Sequence, residues 1–298
     1  MADAAPILHM ISPLSQVSPF DVNMAFDAGY ARIAPYAHVT LDEMRALTQD
    51  MMFSRPPAAA ARTALFIGGR DASLALDMAE AARAALFPPF EISIFPDPSG
   101  AFTTAAALIA KVERRLAGRR PGALTGAEVK VFGATGVVGS IAAVIAAGAG
   151  ARVTMVSHRG LTPVEIKAAE FRRRFGVELS GAGAETDAEK ADLLAASDVV
   201  LCTGRAGIEI LSAPLIAAAG RVLVAADVNA VPPSGIAGIG AYDDGAPLAN
   251  GTGAGIGALA VGDLKYRVQQ ALFQRLLAAR QAQFLDLSVM FALARELA

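Results

Sequence analysis

The chain has 298 residues, of which 54% are hydrophobic, and 26 basic side chains stand against 28 acidic ones. A formal net charge of -2 offers no global field to gather nucleic acid or an anionic membrane surface. A lone cysteine, Cys202, excludes an intramolecular disulfide and a thiolate metal cluster, so the composition points to a cytoplasmic protein of two medium domains acting on small molecules.

The opening stretch, residues 1–16, lacks a basic segment followed by a long apolar core and does not read as a signal peptide. No apolar run reaches the roughly 20 residues of a membrane-spanning helix. ILHMI at 7–11, TALFIGG at 63–69 and FEISIF at 90–95 predict strands. Segments 41–53 and 73–87 place apolar residues at three and four spacing and predict helices between them. A further helix is expected over 99–118, opening on small polar residues and closing on glycine. The stretch GRRPGALTG at 118–126 has no period and marks a domain boundary.

From Glu128 the strand and helix rhythm restarts, with VKVFG, a helix at 137–148, RVTMVS at 152–157, a helix at 164–175, DVVLC at 198–202 and RVLVA at 221–225. Strands this apolar imply a parallel sheet covered on both faces. The tail, 262–298, reads as two helices with a turn near Arg280. The expected architecture is an α/β chain in which 1–122 form a substrate domain and 123–280 a Rossmann-type doubly wound domain. Residues 281–298 are expected to be a helix that returns to the first domain.

FGATGVVGS, at 132–140, sets Gly133, Gly136 and Gly139 three residues apart directly behind an apolar strand. Strand, glycine turn and helix is the order that presents helix amides to a pyrophosphate. Gly133, Ala134, Thr135, Gly136, Val137, Val138 and Gly139 are therefore candidate cofactor residues, against the alternative of a tight turn with no ligand. Ala134 takes the first place of the usual three-glycine frame. At the end of the next strand, where an NAD-binding fold has a carboxylate, stand Ser157, His158 and Arg159. A hydroxyl and a guanidinium suit a 2'-phosphate, which favours NADP over NAD; a solvated strand end is the plainer alternative. Thr203 and Gly204 in CTGRAGIE, and Asp227 and Asn229 in DVNAVPPSG, follow later strands and are placed at the nicotinamide half of the cofactor, although either loop alone fits simple turn chemistry.

The three histidines, His9, His38 and His158, have no metal-ligand spacing, and no nucleophile elbow, HExxH or lysine-bearing phosphate loop is present. Poverty in acids and bases argues against a dehydrogenase that must deprotonate a hydroxyl. It suits hydride loss from a carbon between two nitrogens, where the cation is delocalised and no proton moves.

Several stretches together resemble one family: SPFDVNMAFDAGY (18–30), IFPDPSGAFTTAAA (94–107), FGATGVVGS, ADVNAVPPSGIAGI (226–239) and GIGALAVGDLKYRVQ (255–269). They look like the NAD(P)-dependent methylene-tetrahydromethanopterin dehydrogenases of bacterial one-carbon metabolism. The resemblance implies oxidation of a methylene-tetrahydropterin to its methenyl cation on the route from formaldehyde to formate. It also implies a cleft between a pterin domain and a nucleotide domain, and a homo-oligomer, a trimer being one form. Carried onto this chain, it brings Asp21, Asp97, Thr103 and Lys265 to the pterin, with Lys265 as the active-site residue. The plainer alternatives are a helix cap for Asp21 and a solvated helical lysine for Lys265. NMAFDAG, ADVNAVPP and GALAVG look closer to the branch that uses both cofactors, while Arg159 pulls towards NADP. Competing functions are the same hydride transfer from methylene-tetrahydrofolate, an amino-acid or shikimate type dehydrogenase, and a non-catalytic NADP sensor. The second of these needs a proton-handling Lys and Asp pair in the first domain, where Lys111 is the only lysine.

Overall fold

Strands TALFI and ILHMI are apolar enough to be covered on both faces, and they form the middle of a parallel sheet. The computed structural model describes residues 4–298; residues 1–3, the start of the stretch read for a signal peptide, lie outside these. Two compact units emerge, one running up to Thr103 and joined by Tyr266–Met290, the other comprising Thr104–Lys265 and Phe291–Ala298. The first unit runs β1 (Ile7–Ile11), α1 (Pro19–Asp27), β2 (Ile33–Tyr36), α2 (Met44–Phe53), α3 (Pro57–Ala60), β3 (Thr63–Ile67), α4 (Ala72–Ala85) and β4 (Ser93–Pro96), and α5 (Ala101–Ala117) begins in it. Its four strands are parallel in the order β2-β1-β3-β4. Helix α4 starts where the Asp71 carboxylate accepts from the Leu74 amide at 2.9 Å. It buries Ala75, Met78, Ala79 and Ala82 on one face. Phe66, Phe95 and Phe273 meet at centroid distances of 5.2–5.4 Å, with Tyr30 set edge-on against Phe273. The open edge of β4 is covered by residues 283–285, whose backbone bonds to Ile94.

The second unit contains β5 (Glu128–Phe132), α6 (Val137–Gly148), β6 (Arg152–Ser157), α7 (Leu161–Phe175), β7 (Leu179–Gly183), α8 (Asp187–Ala195), β8 (Val199–Cys202), α9 (Ala213–Ala218), β9 (Val224–Asp227), β10 (Asp244–Pro247) and β11 (Ala254–Ile256). Helices α10 (Ala258–Ala278) and α11 (Leu287–Leu297) close the chain, each divided between the two units. Six strands run parallel in the order β7-β6-β5-β8-β9-β11, and β10 adds antiparallel at one edge. This is the doubly wound Rossmann arrangement, and its strand order reverses between β5 and β8. Val199, Val200 and Leu201 are fully buried, and burying each such side chain contributes about 1.5–3 kcal/mol. Helix α6 is apolar nearly all round and buries its residues from Gly139 to Ala146. Among the described residues no helix is long and apolar enough to cross a membrane.

Several boundaries differ from the sequence expectation. The strand expected at 221–225 is β9, which begins three residues later at Val224, while Arg221 lies in the preceding turn with its side chain on Asp198 at 3.1 Å. FEISIF yields only β4 from Ser93, since Phe87 and Phe90 pair with each other in a turn. The helix of 99–118 starts at Ala101, after a tight 3-10 turn at Pro98–Gly100. The tail helix α10 begins at Ala258, ahead of residue 262, and α11 is held to α5 by two bonds from Arg295 to Glu113 at 2.6 and 2.7 Å. Strands β2, β7, β10 and β11 were not expected. They are short, carry Gly or Pro, and exist because a neighbouring strand offers its backbone.

Candidate active site

The turn between β5 and α6 is built by absence of side chains. Gly133 has φ +77, and a β-carbon on it would sit 2.6 Å from the backbone of Gly204. Gly139 lies so close to the Thr203 hydroxyl, to the Gly133 carbonyl and to Ala134 that a β-carbon would overlap all three. Thr203 fixes the far side of this approach, its amide and hydroxyl both bonding to the Phe132 carbonyl at 2.9 and 2.8 Å. Gly136 is the N-cap of α6, and no side chain caps that helix. The first amides of α6 therefore remain available for an anion, reinforced by the helix dipole.

These groups open into a cavity of about 390 Å³ at the carboxyl ends of β5, β6, β7 and β8, within the range of small-molecule sites of about 300–1,000 Å³. Gly133, Thr135 and Gly136 line it from the first turn, Ser157 and His158 from the second, and Thr203, Gly204 and Arg205 from the fourth. Between them Glu185 and Lys190 enter from beyond β7, and the sequence reading missed both. Ala134 is buried behind the turn, and Val137 and Val138 are half-buried on the first turn of α6. The Ser157 hydroxyl accepts from the Arg159 amide at 3.0 Å, which shapes the turn. Arg159 is exposed beside the cavity, and its guanidinium makes no ion pair among the described residues. The glycine cradle and the uncapped helix fit a dinucleotide phosphate.

Asp227 and Asn229 lie elsewhere, on a smaller cavity of about 210 Å³ at the ends of β9 and β11. Asp227 accepts from the amides of Asn229, Gly235 and Ile236 at 2.9, 2.6 and 3.2 Å. Burial pushes its carboxyl above the usual range, and the three amides only partly offset this. Asn229 accepts from the amides of Gly207 and Val231 and donates to the Pro233 carbonyl. Both side chains are thus engaged in holding the loop of 227–236. Cys202 packs beneath it, its thiol pushed up to about 12 by burial and then by Asp227.

In the first unit the structure brings Asp97 and Thr103 together. Both are fully buried, and Asp97 accepts from the amides of Phe102 and Thr103 at 2.9 and 3.1 Å and from the Thr103 hydroxyl at 2.7 Å. Asp97 thereby tethers the start of α5 at the carboxyl end of β4. Asp21 does not cap α1, which begins after Ser18. It lies buried in the first turn and accepts from Gln269 Nε2 at 2.9 Å. Gln269 was not anticipated, because nothing in a local pattern pairs residues so distant in sequence. Lys265 is 8% exposed on α10 and so is not the solvated lysine of the plainer reading. Lys111 pairs with Asp244 at 2.9 Å beside Arg115, an ion pair within the second unit.

A family model described as methylene-tetrahydromethanopterin dehydrogenase, N-terminal, matches residues 19–99. The whole chain is 45% identical over 295 residues to the NAD(P)-dependent methylenetetrahydromethanopterin dehydrogenase of Methylorubrum extorquens, covering 99% of each. The chain belongs to this dehydrogenase family. The bifunctional protein MdtA of the same organism is 32% identical, over 94% of this chain and 95% of its own. Among solved structures, 5-ketofructose reductase of a Gluconobacter strain aligns with TM-score 0.53 at 16% identity, covering 99% of both chains. Shikimate 5-dehydrogenase from Listeria monocytogenes aligns with TM-score 0.50 at 12% identity, over 93% of this chain and 92% of its own. These two structures bear on the fold alone. The segment matched by the family model carries Asp21 and Asp97, two of the residues that the dehydrogenase resemblance had brought to the pterin.

Proposed function

We propose that this member of the family oxidises methylene-tetrahydromethanopterin to its methenyl cation by hydride transfer to NAD(P)+, with NADP favoured. The observation that carries this reading is the 45% identity that runs through 99% of the chain. The uncapped α6 behind the glycine cradle supports the nucleotide half. Residues Gly133 to Gly139 hold the pyrophosphate in this reading, Ser157, His158 and Arg159 meet the adenine ribose, and Thr203 and Gly204 wall the crevice. Asp227 and Asn229 act by shaping their loop. Bound NAD(P)+ supplies the hydride acceptor; the carbon between two nitrogens loses a hydride, the charge spreads over N–C–N, and no proton moves. The chain's own residues contribute proximity, orientation and exclusion of water, without a general base.

Asp21, Asp97, Thr103 and Lys265 are assigned to the pterin side, Lys265 facing the substrate and Asp97 with Thr103 fixing the backbone at the start of α5. Residues 1–122 serve as the pterin domain, 123–280 as the nucleotide domain and 281–298 as a helix returning to the first. The protein works as a cytoplasmic homo-oligomer in formaldehyde oxidation. The test is a four-way assay of methylene-tetrahydromethanopterin or methylene-tetrahydrofolate, each with NAD or NADP, following reduced nicotinamide and methenyl product together. Turnover on the methanopterin substrate is expected, with kcat nearly flat across neutral pH. Absence of turnover on it, with NADP still bound, would refute the reaction.

A further inference from the structure

The end of β6 lacks the carboxylate that reads an unphosphorylated ribose, yet the fold supplies one from the next strand. Glu185 follows β7 and lines the same cavity as Ser157 and His158. Its carboxylate lies against the turn after β6, where a β-carbon on Gly160 would be 3.4 Å from Oε1. No ion pair occupies it among the described residues, whereas Lys190 on the same wall is paired with Asp187 at 2.9 Å. Arg159 stands one residue before Gly160, also without an ion pair. We propose that Glu185 is the ribose-reading carboxylate of this chain, and that Glu185 and Arg159 together set its choice between NAD and NADP. A carboxylate accepts hydrogen bonds from the two hydroxyls of an NAD ribose and repels a 2'-phosphate, while a guanidinium does the reverse. One sequence can then accept both cofactors without an acidic residue in the usual position.

This rests on the nucleotide half of the proposed function, so the test omits the pterin. Calorimetric titration of NADH and NADPH into the full-length protein measures both affinities for wild type, Glu185→Gln and Glu185→Arg, with thermal melts to confirm folding. Glu185→Gln is expected to weaken NADH by about fivefold to tenfold and to leave NADPH unchanged or tighter. Glu185→Arg should widen that split. Equal effects on the two cofactors, or none in folded variants, would overturn the assignment and leave the hydride-transfer reaction standing. Failure of the wild type to bind either dinucleotide would overturn both.

Discussion

The two edges of the seven-stranded sheet treat charge in opposite ways. At the amino edge, Asp198 accepts from the Glu128 amide at 2.9 Å and from Arg221 at 3.1 Å, with Arg120 at 3.9 Å. Glu128 in turn holds Lys130 and Arg152. Every one of these groups has an opposite partner, and the network ties strand starts together. At the carboxyl edge, Arg205 and Glu185 line a cavity beside a helix that no side chain caps, and Arg159 follows the lining residue His158; none of the three makes an ion pair among the described residues. Charges already neutralised by their neighbours stabilise a fold, and charges left uncommitted around a concavity are what a ligand can complete. Asp227 is the exception that sharpens the contrast, since it lies at the carboxyl edge but is consumed by three backbone amides.

The largest expected effect comes from filling the open edge. Gly133→Ala places a methyl against the Gly204 backbone at a positive φ, so dinucleotide affinity measured by calorimetry should fall by about 100-fold and stability by about 2–4 kcal/mol. Retained affinity would mean that the cradle is only a turn. Asp227→Ala probes the exception: loss of three bonds to buried amides should cost about 2–3 kcal/mol in urea unfolding while cofactor affinity changes little. A large loss of affinity with little loss of stability would return Asp227 to the cofactor.

A smaller effect is expected from Arg159→Ala, which should raise the KM for NADP by about tenfold and that for NAD by less than about twofold. Equal changes would show that this guanidinium does not read the 2'-phosphate. The paired edge provides the smallest effect and a pH signature. Burial alone would raise the Asp198 carboxyl, but the Glu128 amide and the Arg221 and Arg120 guanidiniums outweigh it and hold the group below its ordinary 3.8. A depressed folded value contributes stability that is present above pH 3.8 and is lost as pH falls through the folded value. Asp198→Asn should therefore cost about 1 kcal/mol at neutral pH, and the gap to wild type should close on acidification. A gap independent of pH would mean that the network acts through packing rather than charge.

The glycine turn was legible because its cause is local: a backbone that must approach another backbone has to omit side chains at fixed places. The position of Arg159 just after β6 was legible for a similar reason, as it is counted from that turn. Glu185 was not, because β7 is a short, glycine-rich edge strand that forms only when β6 pairs with it. The roles of Asp97 and Thr103 were half legible. Their stretch stood out in the family resemblance, but its spacing did not reveal that the carboxylate closes on the start of α5.

By itself the sequence determined the alternation of strands and helices, the parallel sheets, the glycine turn and the family resemblance, because each depends on spacing within a few residues or on motifs kept in order. Only the tertiary structure decided which polar groups are already partnered and which remain open. Asp227, Asn229 and Asp97 turned inward onto backbone amides, Lys111 went to Asp244, and Glu185 came to stand beside Gly160. Hydrogen bonding and charge pairing act over a few ångströms in space, and chain order alone does not say which residues will be that close.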